Sequence, residues 1–479
     1  MKFNSLTYLI FLFLSFAIYW AVNKKYRLYF LLFASITFYS YWSWKFLVLI
    51  CISAFVDYCF SKNIYHAHTI SKKTFFLTCA ISSNLILLIA FKYLNFFIEN
   101  LLFIFSKLNI STSLHYVSVT IPLGISFYTF LSISYVTDVY KGITKPAGNY
   151  LKYLTYVIYW PHMIAGPILR FSELFPQLYK KSSFRLINIV AGLRLIITGL
   201  FLKVVLADQL SYFVDEAFST PVDLVGGLDV LTMSSGFGLQ IYFDFAGYSM
   251  IAIGSAKLFG INFVDNFNWP YLSVSPKDFW RRWHITLSSW VRDYLYFPLL
   301  GLSSYNNSKG GIGINRALNS SLFFSWIIMG LWHGASWNFA FWGLWHAILI
   351  SLYRAFPIDS LFKNNVFTYF INWAITFVTI SVGWIFFRAK DLQTSILLIT
   401  KIFKIQGFSN LAFNENFYLF VFILFNGMIA SYFFERRLFK FLKSFNTLFL
   451  FADSIYLSTM LVSIFIYFSA INQFIYFEF

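Results

Sequence analysis

Met329–Ala347 reads MGLWHGASWNFAFWGLWHA and decides how the rest of the chain is read. Two histidines, four tryptophans and three glycines lie in one of the most apolar parts of the sequence. A charged side chain at membrane depth costs about 2.5–3.5 kcal/mol or more, so an ionisable group there is a functional candidate. His333 stands in Trp-His-Gly, and Gly334 is expected to remove bulk beside its imidazole. The plain alternative is an aromatic belt at a helix end with His333 as a hydrogen-bonded core residue. A second polar cluster upstream, Trp280-Arg281-Arg282-Trp283-His284, weighs against that alternative.

The composition sets the class. Of 479 residues, 59% are hydrophobic, 23% aromatic and 11% charged, with mean hydropathy +0.67. Soluble domains carry about 25% charged residues. Apolar runs recur from end to end without a long polar linker, which predicts an all-α polytopic membrane protein forming a single domain over 1–479. The net charge is +17, but the basic residues fall in short connections between apolar runs. That is the positive-inside pattern, and nucleic acid is excluded as a partner. Cys51, Cys59 and Cys79 lie in or beside apolar segments without metal-ligand spacing; they read as small core residues. His66 and His68 sit in a Lys-rich loop and read as solvated, so no metal site is expected.

Taken in order, Leu6–Val22 is apolar and is followed by Lys24, Lys25 and Arg27, with only Lys2 ahead of it. This charge order is the reverse of a cleavable signal peptide, so an uncleaved first span is expected. Leu28–Trp42, Phe46–Phe60, Phe75–Ile98 and Ile121–Tyr140 read as further spans. Tyr153–Leu169 has basic residues on both sides and contains Pro161, Gly166 and Pro167; a re-entrant element or a kinked span fits it. Its His162 is a candidate for shaping the turn. Leu186–Leu206 crosses next. After it comes an expected outer loop bearing Asp208, Asp215, Glu216, Asp223 and Asp229. Val230–Ala256 crosses back and carries Asp244, which must be paired or hydrated at that depth. Arg281, Arg282, Arg292 or tyrosine hydroxyls are its expected partners.

Asn262–Leu300 is too charged to span and too aromatic for a free loop; short amphipathic and re-entrant helices are expected there. Gly301–Arg316 reads as a Gly- and Asn-rich loop. Leu318–Trp332, Ala335–Leu352, Tyr369–Phe387, Phe417–Phe434 and Ile455–Ile475 complete the helices. At about 15 residues, Leu318–Trp332 is short for a span of roughly 20, which would leave His333 within the membrane thickness.

The chemistry follows from the histidines. A neutral imidazole takes a proton from a hydroxyl as a general base. A second polar group orients it or holds the acceptor, and the membrane keeps water from a reactive acyl donor. The residues suggest acyl transfer to a hydroxyl. Four stretches carry a resemblance: YWPHMIAGPILR (Tyr159–Arg170), IYFDFAGYSMIAIGSAKLFGI (Ile241–Ile261), NFNWPYLSVSPKDFWRRWHITLSSWVRDYLYFPLLG (Asn266–Gly301) and LWHGASWNFAFWGLWHA (Leu331–Ala347). With these, the chain resembles the membrane-bound O-acyltransferases over roughly 122–388. The branch it looks most like O-acetylates alginate or peptidoglycan in bacteria, and teichoic-acid D-alanylation is a cousin.

The resemblance implies a ring of about eleven transmembrane helices, with re-entrant helices around a central tunnel, in the bacterial cytoplasmic (inner) membrane. It implies His333 as the catalytic histidine and His284 as its assistant. It also implies a cytoplasmic acyl thioester donor, acetyl-coenzyme A or an acyl carrier protein, as substrate, with no bound cofactor. An extracytoplasmic partner acyltransferase is the expected recipient. Trp332, Trp337, Asn338, His346, Asp244, Arg281 and Arg282 are candidates for lining the substrate path. For His346, on one helical face with Asn338 and Trp342, packing is the competing role. For Asp244 it is a buried ion pair. For the two arginines, positive-inside charge competes with binding donor phosphates. A non-enzymatic rival, a lipid-linked saccharide transporter, would favour inverted repeats, which the sequence lacks, and has no need of Trp-His-Gly.

Overall fold

The computed structural model describes residues 1–164, 166–180, 182–301, 312–356, 365–404, 411–434 and 446–468, with side chains left aside at 312–319 and 446–450. All regular structure among them is helical. Among the described residues, five helices are long and apolar enough to cross a membrane: Trp44–His66, Ile70–Lys107, Leu186–Ser219, Val366–Arg388 and Glu415–Phe433. The chain is a multi-pass membrane protein. It divides into two compact units, Met1–Leu193 with Ala252–Val264, and Arg194–Ile251 with Asp265–Phe479.

In the first unit, α1 (Leu6–Ala21), α2 (Arg27–Ser40), α3 (Trp44–His66), α4 (Ile70–Lys107) and α5 (Ile125–Tyr140) follow in order. The expected span Phe75–Ile98 is longer in the structure because α4 continues through a π turn at Ile89–Tyr93. Polar groups on these helices satisfy one another: the Asn84 amide donates to Asp57 at 2.7 Å, and Ser61 bonds Tyr135 at 3.0 Å. Tyr153–Leu169 is broken as its prolines and glycine require. α6 (Tyr150–Ile158) ends at Tyr159, and α7 (Trp160–Met163) is a single turn. Ala165 lies outside the described residues. The Nε2 of His162 donates to the Tyr156 carbonyl at 2.9 Å, so this histidine holds the break together. A Cβ on Gly166 would sit 2.5 Å from the His162 Cα, which is why the return of the chain needs glycine here.

Two expectations change after residue 186. The acidic stretch expected as a loop is helical as far as Ser219, since α8 (Leu186–Ser219) runs on through a π segment at Phe201–Ala207. Lys203, 1% exposed, bonds Asp208 at 2.9 Å and Asp244 at 3.0 Å within the second unit. Paired charge of this kind continues a helix that hydropathy alone would stop. Asp244 stands on α9 (Gly227–Leu258), so its partner is Lys203 rather than an arginine. Arg282 pairs instead with Asp278, and Arg292 with Asp293. Close packing of α8 on α9 needs glycine on both sides: a Cβ on Gly199 would lie 2.5 Å from the Gly247 carbonyl oxygen.

Further helices of the second unit include α10 (Pro276–Arg282), α11 (Ile285–Val291), α12 (Ile312–His333), α13 (Trp337–Ala355), α14 (Val366–Arg388), α15 (Leu392–Ile402), α16 (Glu415–Phe433) and α17 (Asn446–Tyr467). The expected short helix Leu318–Trp332 is in fact 22 residues long. Asn315, Arg316 and Asn319 lower its hydropathy without breaking a helix, because propensity and hydropathy are different quantities. Residues 302–311 of the expected Gly/Asn-rich loop, and 469–475 of the last expected span, lie outside the described residues.

Candidate active site

The segment before α10 is built around two asparagines. Ser275 caps α10 by accepting from the Asp278 N–H at 3.1 Å, and Pro276 occupies the first helical position. After Arg282 the helix stops, and His284 takes a left-handed conformation, φ 40° and ψ 55°, before α11 begins. Histidine tolerates that region better than a β-branched residue, yet it still costs about 1–3 kcal/mol. The backbone of 266–268 clasps the turn. Asn268 N–H donates to the Arg282 carbonyl at 2.9 Å, and Ile285 N–H donates to the Asn266 carbonyl at 2.9 Å.

The Asn266 side chain completes the clasp. Its Oδ1 accepts from the Thr286 N–H at 3.3 Å and the Thr286 hydroxyl at 2.9 Å, and lies 3.1 Å from His284 Nδ1. Its Nδ2 donates to Ser249 at 3.3 Å. The His284 ring is 0% exposed and packs edge-on to Phe245 at 4.6 Å. Its Nε2 is buried with no hydrogen-bond partner among the described residues. A polar atom buried in this way costs about 1–3 kcal/mol.

His333 is the last residue of α12, and α13 returns against that helix after three residues. The hairpin is very tight: a Cβ on Gly330 would lie 2.1 Å from the Phe339 carbonyl oxygen. The space left by Gly334 is taken by the Phe339 ring, which a Cβ would meet at 2.0 Å, rather than by the imidazole. His333, 4% exposed, is boxed edge-on by Trp332 at 4.9 Å, Trp342 at 5.0 Å and Phe387 of α14 at 5.3 Å. Across Trp342 lies His346, 0% exposed, at 4.9 Å between ring centroids. Trp280 Nε1–H donates to His346 Nδ1 at 3.3 Å. Indole nitrogen only donates, so His346 Nδ1 is the acceptor and its Nε2 carries the proton.

The structure therefore gathers His333, Trp332, Trp342, His346 and Trp280 into one buried aromatic cluster. His284 joins it through intervening rings: Phe267 and Trp283 at 5.1 Å, Trp283 and Trp384 at 5.0 Å, Trp384 and Phe387 at 5.6 Å. Other candidates stand apart. Trp337 is 54% exposed, and Arg281 is exposed at the end of α10. Asn338 donates to the Ala389 carbonyl at 2.8 Å, anchoring α13 to the end of α14. Asp244 belongs to the Lys203 ion pair. Sequence reasoning passed over Asn266, Lys203, Trp384 and Phe387 as site or network members. A lone lysine within LFLKVVL carried a usable signal, whereas nothing separates Asn266 from the neighbouring Asn262 and Asn268 in the sequence.

A multi-pass helical membrane protein with buried histidines in an aromatic cluster is the class this fold and site define. Residues 31–389 match the MBOAT, membrane-bound O-acyltransferase family, and the chain belongs to it. It is an acyltransferase. It is 35% identical over 406 residues to "Probable alginate O-acetylase AlgI" of Pseudomonas putida, covering 84% of this chain and 80% of that protein. It is 34% identical over 416 residues to the peptidoglycan O-acetyltransferase of Helicobacter pylori, covering 81% and 76%. The teichoic acid D-alanyltransferase of Bacillus subtilis is 29% identical over 280 residues, 57% of this chain and 69% of that protein.

Proposed function

We propose that the chain moves an acetyl group from a cytoplasmic thioester donor, acetyl-coenzyme A or an acyl carrier protein, across the bacterial cytoplasmic membrane. The group then O-acetylates a cell-envelope polysaccharide or peptidoglycan, and an extracytoplasmic acyltransferase partner serves as the recipient. The eleven-helix ring with re-entrant helices and a tunnel implied by the sequence resemblance would provide the path. The observation that carries the chemistry is the burial of His333 and His284 in the two family motifs, on a hairpin and a strained turn of the same unit.

His333 is assigned the general base. It takes the proton of an acceptor hydroxyl as that oxygen attacks the thioester carbonyl; the C–S bond breaks and the thiolate leaves with the proton. The C-terminal end of α12 accommodates the positive charge gained by the imidazole. His284 assists through Nε2, and the surrounding rings exclude water that would hydrolyse the donor. Arg281, at the exposed end of α10, is the group offered to donor phosphates, and Arg282 beside it is half-buried against Asp278.

Support for an acetyl group comes from the relatives with the longer matches. The shorter match to a teichoic acid D-alanyltransferase favours a second reading, D-alanyl transfer. Incubation of purified wild type and His333→Ala with radiolabelled acetyl-coenzyme A tests the proposal. Label should pass to a partner or envelope glycan with wild type only. Full transfer by correctly inserted His333→Ala protein refutes the base assignment, and turnover confined to a D-alanyl carrier-protein thioester selects the second reading.

A further inference from the structure

His284 and His346 are both fully buried, yet their hydrogen-bond partners impose opposite proton positions. At His346, the Trp280 indole leaves the proton on Nε2. At His284 the proton position is set by Asn266. A backbone N–H can only donate, so the Asn266 atom that receives the Thr286 N–H is the carbonyl oxygen. The same oxygen faces His284 Nδ1 at 3.1 Å. Two facing acceptors make no bond, so Nδ1 carries the hydrogen and Nε2 is left with a lone pair.

We propose that Asn266 is a positioning residue for acyl transfer: it holds His284 in the Nδ1–H tautomer, so that Nε2 is a proton acceptor. This rests on the reading of His284 as part of the reacting pair. Three observations beyond the hydrogen bond itself agree. Asn266 is 1% exposed, so water does not compete for its oxygen. Its backbone carbonyl holds Ile285, and Asn268 holds Arg282, so the same segment fixes the left-handed turn that aims the ring. The Nε2 of His284 has no hydrogen-bond partner among the described residues, whereas Nδ1 faces the Asn266 oxygen. Where a carboxylate partner would also favour the charged ring, a neutral amide sets the tautomer without adding charge. That suits a group that must start neutral inside a membrane protein.

The test uses the full-length protein with ¹⁵N-histidine, together with acetyl transfer kinetics. Asn266→Leu removes the acceptor; Asn266→Asp keeps an oxygen in its place; Thr286→Val removes one bond to Asn266 but leaves His284 untouched. Wild type and Thr286→Val should show the ¹⁵N pattern of a δ-protonated neutral ring at His284, assigned by its loss in His284→Gln, while Asn266→Asp should keep Nδ1 protonated and shift the ring toward the charged form. Asn266→Leu should lose that pattern and lower kcat on the order of 10²-fold, with the KM for acetyl-coenzyme A held, since outer groups that orient a reacting histidine carry effects of this size. Asn266→Asp should recover only part of the rate, because a carboxylate that favours the charged ring leaves less neutral Nε2 to accept a proton. An unchanged tautomer in Asn266→Leu overturns the proposal, as does an unchanged kcat where His284→Gln is impaired. An equal loss in Thr286→Val overturns it in favour of simple bracing of the turn. Wild-type turnover by His284→Gln instead removes His284 from the chemistry, a failure told apart because the ¹⁵N pattern needs no substrate.

Discussion

Gly343→Ala is the sharpest test of how the site is assembled. Gly343 lies on α13 where that helix crosses α12. An added Cβ would sit 2.1 Å from the Trp326 carbonyl oxygen and 2.8 Å from its carbonyl carbon. Carbon and carbonyl oxygen approach to about 3.3 Å at closest, so the methyl lacks roughly 1 Å of space. The obstacle is backbone on the facing helix, which cannot rotate away. Alanine would improve helix propensity by about 1 kcal/mol. Overpacking costs about 1–3 kcal/mol and often more when backbone must shift, so the clash wins. The hairpin must open, and Trp342, next in sequence, lies between His333 at 5.0 Å and His346 at 4.9 Å. A displacement near 1 Å at a reacting centre lowers turnover on the order of 10²-fold. The matching control is Gly427→Ala on α16, where a Cβ meets nothing within 4 Å among the described residues. Heat-resistant monomer in detergent and acetyl transfer should both fall for Gly343→Ala and hold for Gly427→Ala. Equal stability and rate in the two variants would refute the close packing of α12 on α13.

Two further outcomes follow from buried polar groups. Lys203→Met leaves the Asp208 and Asp244 carboxylates without their shared cation, and breaking a buried pair costs about 3–5 kcal/mol. Folded yield from membranes should collapse, and adding Asp244→Asn should restore part of it by removing one of the stranded charges. Trp280→Phe keeps the ring against His346 but deletes the indole donor, a loss of about 1 kcal/mol. Detergent melting should register that modest change, and a larger loss would mean that Trp280 supports more than this bond.

Much of the function was legible in single stretches. The apolar runs determined a helical membrane protein, because a backbone in lipid must satisfy its own hydrogen bonds. Trp-His-Gly and Arg-Trp-His marked two histidines as candidates, because an ionisable group in an apolar stretch is costly, and the structure buries both. Hydropathy misplaced element ends for two reasons, paired charge in α8 and helix propensity in α12. Lys203 carries α8 through its acidic segment, and α12 begins ahead of its apolar run.

What the sequence determined alone was therefore composition-driven: the membrane class, the helices and the identity of the chemically capable side chains. Tertiary structure decided which of them meet. Only folding brings Trp280 to His346 across 66 positions, and Asp244 to Lys203 rather than to an arginine. It also picks Asn266 from several asparagines to set the His284 proton. Pairing of this kind depends on distances of about 3 Å between groups far apart in the chain. No local pattern of residue types encodes such distances; the packing of whole helices does.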